Sequence, residues 1–487
     1  MRRIQAAVAA LLLLLCGCGT KPVEYPLAPQ QGNQDRRALD VEPDRPFLLL
    51  AFSGGGSRAA ALAAAVTARL DGITYPSPSG PRRLSQDVAV VSSVSGGSVY
   101  AAYLGLNGSG GDAARAFEQR IGAYDGIGYL ASRALDPFTW IVLQFENETR
   151  VALLQDMIGD ILQSQATLAR FNAAERPLIL INASDMVAGE VFTFDPATLD
   201  DLCMDYDSVP MSLAVTASAA FPFAFTPVLL KNDSYPNCPG RQSPPGDWRN
   251  ALTVASGRYT NLTSFREARY RDSLRAAPDA FRQPRYVRLV DGGVVDNLGL
   301  TSIRRVLLTP GSPANLTKLI NQGKLHRLVV ISVNARSDAR NPLDGSDQYT
   351  SLVTMASAVS GVLVDSAAAG SAATFDAFVT NLAEDRNRLL RQGVQQAAFD
   401  IYPIAVDFDQ LPDATAAERA ELNAVKSIAT SWTLAPGDLS LLDKVAGELL
   451  WRHPCFRKLV ADLGAQGREE APAVPGTLCP VPPMPVH

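Results

Sequence analysis

Ser95, in the run Ser93-Val94-Ser95-Gly96-Gly97, stands between an apolar segment at residues 88–91 and a helical pattern at residues 98–106. A strand, a tight turn of small residues and a helix together lift a serine Oγ clear of a sheet end, where it can act as a nucleophile. Such a hydroxyl is a poor nucleophile until a base lies within hydrogen-bond reach. The chain offers three histidines, His326, His453 and His487. His326 precedes an apolar run, at the sheet end away from the serine. His487 is the last residue, and His453 lies beside Cys455, although chain order leaves it open as a base. Asp291 is better placed, at the end of the apolar run 287–290 with Gly292 and Gly293 after it. A Ser95–Asp291 dyad is therefore expected; the structural alternative is a serine-rich turn and a turn-initiating Asp-Gly.

The third element is Ser53-Gly54-Gly55-Gly56-Ser57-Arg58. Glycine amides can approach a developing oxyanion without side chains intervening, and a helix opening there adds its positive dipole end. No Gly-Lys-Ser/Thr follows, and the spacing is not that of a dinucleotide loop. Gly54, Gly55 and Gly56 thus read as an oxyanion hole. Arg58 reads as a cation for a phosphate head group or the oxyanion, or else as a salt-bridge partner.

These residues need a scaffold that brings them together. Continuous apolar runs at 47–52, 88–91, 178–181, 287–290, 328–333 and 401–406 suit strands buried on both faces. Helical patterns intervene at 59–70, 113–121 and 151–171. The alternation predicts a three-layer α/β/α domain with a mainly parallel sheet, the candidate residues lying beyond its carboxyl ends. Helices are expected at 416–432 and 439–451, the second capped by Asp438. Residues 46–408 form the expected catalytic domain, with a helical insertion at about 113–171, and residues 409–487 a helical extension.

The 487 residues carry a net charge of −5 and no dense Lys/Arg stripe, so nucleic acid is not an expected partner. Arg2 and Arg3 precede an apolar stretch at 4–15, too short to span a bilayer. It ends in Leu15-Cys16-Gly17-Cys18-Gly19, which resembles a bacterial lipoprotein cleavage box with Cys18 as acceptor. Residues 1–18 are the expected signal peptide, and the polar, proline-rich residues 19–45 a tether. Gly19 in place of aspartate implies, by the same resemblance, an outer-membrane anchor. The other cysteines allow three pairings; proximity favours Cys203–Cys238 and Cys455–Cys479, as an oxidising compartment would permit. None has zinc-ligand spacing, so no metal or cofactor is expected. Residues 138–145 and 353–369 are dense in apolar side chains and read as core, as a lid or as a membrane-facing patch.

Taken together the motifs resemble the patatin-like phospholipase family. The glycine run is similar to its oxyanion loop, in the form seen in cytosolic phospholipases. Ser93 to Gly97 resembles its nucleophile elbow, and Asp291-Gly292-Gly293 its catalytic Asp-Gly-Gly/Ala. Ala217-Ser218-Ala219-Ala220-Phe221-Pro222, residues 178–192 with Asp185 and Gly189, and Asp296-Asn297 are similar to further family blocks. Ser53 and Ser93 depart from the aspartate and glycine usual there. The resemblance implies acyl-ester hydrolysis of phospholipid or lysophospholipid by a Ser–Asp dyad. Two rival expectations are acyl transfer to a second alcohol and a non-enzymatic lipid-binding envelope protein.

Overall fold

The structure is a computed structural model and describes residues 26–28, 33, 39, 41–135, 150–172, 177–222, 224–232, 262–275, 284–309, 312–337, 352–472 and 479. The expected signal peptide with Cys18, most of the tether, the segment 138–145 and Cys238 lie outside them.

The main sheet is built from β1 (Phe47–Phe52), β4 (Val88–Val94), β5 (Leu178–Asp185), β6 (Glu190–Phe194), β7 (Val228–Lys231), β8 (Tyr286–Asp291), β9 (Arg327–Asn334) and β10 (Asp400–Asp407). A separate hairpin joins β2 (Thr74–Ser77) and β3 (Gly80–Arg83). Strands β10, β9, β1, β4 and β5 are parallel in that order. The runs 47–52 and 88–91 are strands because both faces are covered. Leu48, Leu50 and Phe52 enter one core, Phe47, Leu49 and Ala51 the other. Three layers result, as the sequence predicts.

Two strands, β6 and β8, depart from the parallel pattern. β8 runs antiparallel to β5, and β7 antiparallel to β8. β6 folds back on β5 as a hairpin along residues 181–185. Since β6 occupies one edge of β5, β4 and β8 must share the other. β4 pairs with β5 as far as Val94↔Asn182, and β8 takes over at Asp291↔Ala183. The two strands therefore meet head-on along a single edge, their carboxyl ends facing each other.

On one face lie α1 (Gly56–Asp71), α2 (Gly96–Asn107) and α3 (Gly111–Ala123). The expected helix at 151–171 is shorter: α4 (Arg150–Leu162) ends at Gln163, whose φ is 50°, and a short 3-10 turn, Leu168–Asn172, follows. α5 (Met211–Ala219) packs against β5 and β8. On the other face lie α6 (Leu300–Leu308) and the long α7 (Leu352–Arg391).

After β10, α8 (Ala416–Lys426) stops well short of Trp432, and residues 427–435 form an irregular segment. Thr415 and Glu418 make a capping box at its start. α9 (Asp438–Arg452) is capped by Gly437 rather than Asp438, whose carboxylate instead accepts from the Ala435 N–H at 2.8 Å. α10 (Pro454–Asp462) follows, and Cys455 is bridged to Cys479 as expected. Cys203 is also disulfide-bonded. Val425, Leu442, Val445 and Leu449 are fully buried in the same cluster as Leu62 and Ala63 of α1, so residues beyond 409 share the main core.

Candidate active site

The nucleophile candidate is fixed by its backbone. Ser95 caps α2 with φ 50° and ψ −121°, a conformation that costs a non-glycine residue of order 1–3 kcal/mol. The turn can be this tight because its followers lack side chains. A Cβ on Gly96 would lie 2.0 Å from Gly56 O, and one on Gly97 2.6 Å from Ser53 O. The Ser95 N–H donates to Ser218 Oγ at 2.8 Å, and Ser218 Oγ donates to Asn182 O at 2.5 Å.

Ser95 Oγ donates to Asp291 Oδ2 at 2.7 Å, although the two residues lie 196 positions apart. Asp291 Oδ1 accepts from the Gly293 N–H at 2.8 Å, which orients the carboxylate. Ser95 is 7% exposed and Asp291 5%. Burial raises the Asp291 carboxyl to about 6, against the lowering effect of its bonds from Ser95 and Gly293. A carboxylate raised in this way is a better proton acceptor than one in water.

The two glycines after Asp291 serve space rather than unusual dihedrals. Gly292 has φ −61°, but its Cβ would come within 2.4 Å of Asn182 O. A Cβ on Gly293 would meet Asn297 Oδ1 at 2.7 Å. Beneath the pair lies a buried polar lattice. Asn182 Nδ2 donates to Ser92 Oγ and to Ser93 O, and its Oδ1 accepts from Thr193 and Ser302 hydroxyls, both at 2.7 Å. Ser184 Oγ holds Gly292 O at 3.0 Å. Asp296 accepts from the N–H groups of Leu298, Gly299 and Thr301.

The glycine run lies against the nucleophile: a Cβ at Gly54 would be 3.2 Å from Ser95 Cβ. Its three amides are not equivalent. The Gly54 N–H is taken by the Oδ1 and O of Asn297, each at 3.2 Å. The Gly55 and Gly56 N–H groups have no hydrogen-bond partner among the described residues. Gly56 opens α1 at φ 61°, where a side chain would be strained and would collide with Ser431 O. Two helices thus begin at the site, α1 at Gly56 and α2 at Gly96, each adding a positive dipole end.

Arg58 is 2% exposed and does not stand free in the cleft. Its Nε donates to Ala335 O at 2.8 Å, Nη2 to Thr430 Oγ1 at 3.0 Å, and Nη1 to Ile428 O. Burial lowers the guanidinium to about 10. The Ser57 N–H reaches Ser431 O at 2.8 Å. This buried arginine therefore ties the loop to the irregular segment after α8. Its bonds are neither the substrate contact nor the salt bridge that the sequence suggests.

His453 is occupied elsewhere. Its Nδ1 accepts from the Cys455 N–H at 3.2 Å, and burial lowers it to about 4. Asn182, Ser184, Thr193 and Ser302 were not singled out by sequence reasoning. For Asn182 and Ser184 the available signal was a polar side chain within the otherwise apolar start of strand 178–185.

A family model described as Patatin-like phospholipase matches residues 50–303, just over half of the chain. No curated protein matches. Among solved structures, human GIVD cytosolic phospholipase A2 is similar at 12% identity and a TM-score of 0.41, covering 86% of this chain and 60% of that one. A second structure of that enzyme, in complex with methyl gamma-linolenyl fluorophosphonate and terbium chloride, gives 13% identity, a TM-score of 0.40 and coverages of 91% and 66%. The chain thus spans less than two thirds of the length of either.

Proposed function

The chain belongs to the patatin-like phospholipase family, and on that premise we propose that it is a serine acyl hydrolase acting on phospholipid or lysophospholipid esters through Ser95 and Asp291. The observation that carries this reading is the 2.7 Å hydrogen bond from Ser95 Oγ to Asp291. As Ser95 attacks the ester carbon, its proton passes to Asp291 and the carbonyl oxygen gains negative charge. The Gly55 and Gly56 N–H groups and the two helix starts stabilise that charge; losing one such donor costs on the order of 10²–10³ in rate. The alcohol leaves with the proton held by Asp291. A water then gives its proton to the same carboxylate as its oxygen attacks the acyl carbon, and the Ser95 Oγ–acyl bond breaks with that proton returned to Oγ, releasing the fatty acid.

Ser95→Ala and Asp291→Asn are each expected to abolish hydrolysis of a p-nitrophenyl ester while the circular dichroism spectrum stays unchanged. Full activity in either purified variant would overturn the dyad. A fluorophosphonate probe is expected to label Ser95. With a labelled acyl donor and glycerol added, label recovered as free fatty acid and none as glyceride separates hydrolysis from acyl transfer.

A lipid anchor at Cys18 and an outer-membrane position belong to the same proposal. The basic start, the apolar stretch and Leu15-Cys16-Gly17-Cys18 support it. Labelled fatty acid incorporated by the native chain and lost in Cys18→Ser is the expected result.

A further inference from the structure

Among the described residues of α7, none before Ala368 enters the core. Phe375, Phe378, Leu382 and Ala383 bury the later part of this helix against the sheet. Asp365 pairs with Arg336 at 3.3 Å, only two residues past the end of β9. At Asp365 the helix is therefore level with the carboxyl end of the sheet. Rising about 1.5 Å per residue, the part before Asp365 overshoots that end by roughly 15–20 Å.

On the overshoot Met355, Val359, Val362 and Leu363 are about half exposed or more, Val362 reaching 68%. Their spacing of four, three and one places them on one helix face. Residues 352–364 contain no charged side chain. Among the described residues, all the other large exposed apolar groups but Leu27, which bridges Met204, gather at the same end. Met186 and Val187 form the turn leaving β5. Tyr286 opens the antiparallel β8. Ile127 is tied through its N–H to Thr433, two residues from the Ser431 that holds the glycine loop. Apolar exposure is thus concentrated around the rim of the site.

We infer that the start of α7 is a docking arm that inserts its Met355/Val359/Val362/Leu363 face into the acyl layer of a lipid surface, seating the Ser95 site on it. The inference rests on the acyl-hydrolase reading for the nature of the surface. The uncharged arm argues for lipid over a protein partner with a charged rim, and for binding driven by apolar burial rather than by anionic head groups. By length and composition Gly361–Arg391 could cross a bilayer, but its buried second half keeps it within the protein, so the arm enters rather than spans.

The test compares the full chain with a Val359→Asp/Val362→Asp/Leu363→Asp variant. Substrates are soluble p-nitrophenyl butyrate and phosphatidylcholine vesicles, with hydrogen exchange of residues 352–366 followed with and without vesicles. Exchange in the native chain is expected to slow on vesicles, equally in high salt and without added anionic lipid. The variant is expected to keep its soluble-ester rate within about twofold and to lose at least tenfold on vesicles. Unchanged exchange, or an unchanged vesicle rate in a variant that hydrolyses the soluble ester, overturns the arm. So does a native dimer that the variant abolishes without vesicles present, since the face would then meet a second copy. Slowed exchange with neither substrate cleaved by the native chain would sink the hydrolase reading and uphold the arm. Should the variant fail to fold, exchange in the native chain decides.

Discussion

Asp291 has to be ionised to accept the Ser95 proton, and burial sets where that happens. With the carboxyl raised to about 6, kcat/KM for a soluble ester should fall about tenfold per pH unit below about 6 and level off above it. A profile flat down to about pH 4 would contradict Asp291 as the base. The same shift has a stability sign. A carboxyl whose folded value lies above its unfolded 3.8 penalises the folded state once ionised. That penalty grows from about pH 4 to about 6 and then stays constant, at about 3 kcal/mol for about two units. Asp291→Asn keeps an acceptor for the Gly293 N–H and removes the charge. It should raise the unfolding free energy at about pH 8, with the gain shrinking towards about pH 4 in urea titrations. Ser95, Asp291 and the glycine run were legible in the sequence because each is a local motif with a chemical reason for its neighbours. Asn182, Ser218 and Asn297 act through partners from distant segments. Ser218, Asn297 and Asn182 surfaced only as parts of family blocks, with no role of their own.

At the level of elements, the approach of α2 to α1 is controlled by glycine. A methyl group at Gly96 would sit 2.0 Å from Gly56 O, so Gly96→Ala must push the elbow away from the glycine loop. A loss of about 3 kcal/mol in chemical denaturation is expected, with activity falling further than stability alone explains. Arg58 reaches three acceptors on two separate segments, which the single ammonium of lysine cannot reproduce. Arg58→Lys should lower kcat at least tenfold with little change in KM for a soluble ester. A KM effect alone would return Arg58 to substrate binding. The strands of continuous apolar sequence were readable because burial on both faces leaves that pattern. The direction of β8 was not, since an apolar run reads the same in a parallel and an antiparallel strand. Nor was the early end of α8, where Ser427 to Ala435 are recruited by the glycine loop and α9 rather than by helix propensity.

For the whole molecule, the expected division at 408/409 separates sequence patterns more than it separates packing. The fully buried Leu442, Val445, Leu449 and Leu450 lie in the cluster that holds α1, each burial contributing about 1.5–3 kcal/mol. Deleting residues 409–487 would expose α1 and remove two of the three acceptors that hold Arg58, Ile428 O and Thr430 Oγ1. The truncated chain should be recovered only as aggregate, and soluble, active material would show the extension to be dispensable.

The head-on meeting of β4 and β8 makes β5 a measuring rod for the reaction. The nucleophile follows the residue in register with Asn182, and the base is itself in register with the next rung, Ala183. One residue inserted between them would part the hydroxyl from the carboxylate by about 3.3 Å, enough to break proton transfer while both motifs remained intact in the sequence. The spacing along this one rod is therefore as strict a requirement for proton transfer as the identity of the two reacting side chains.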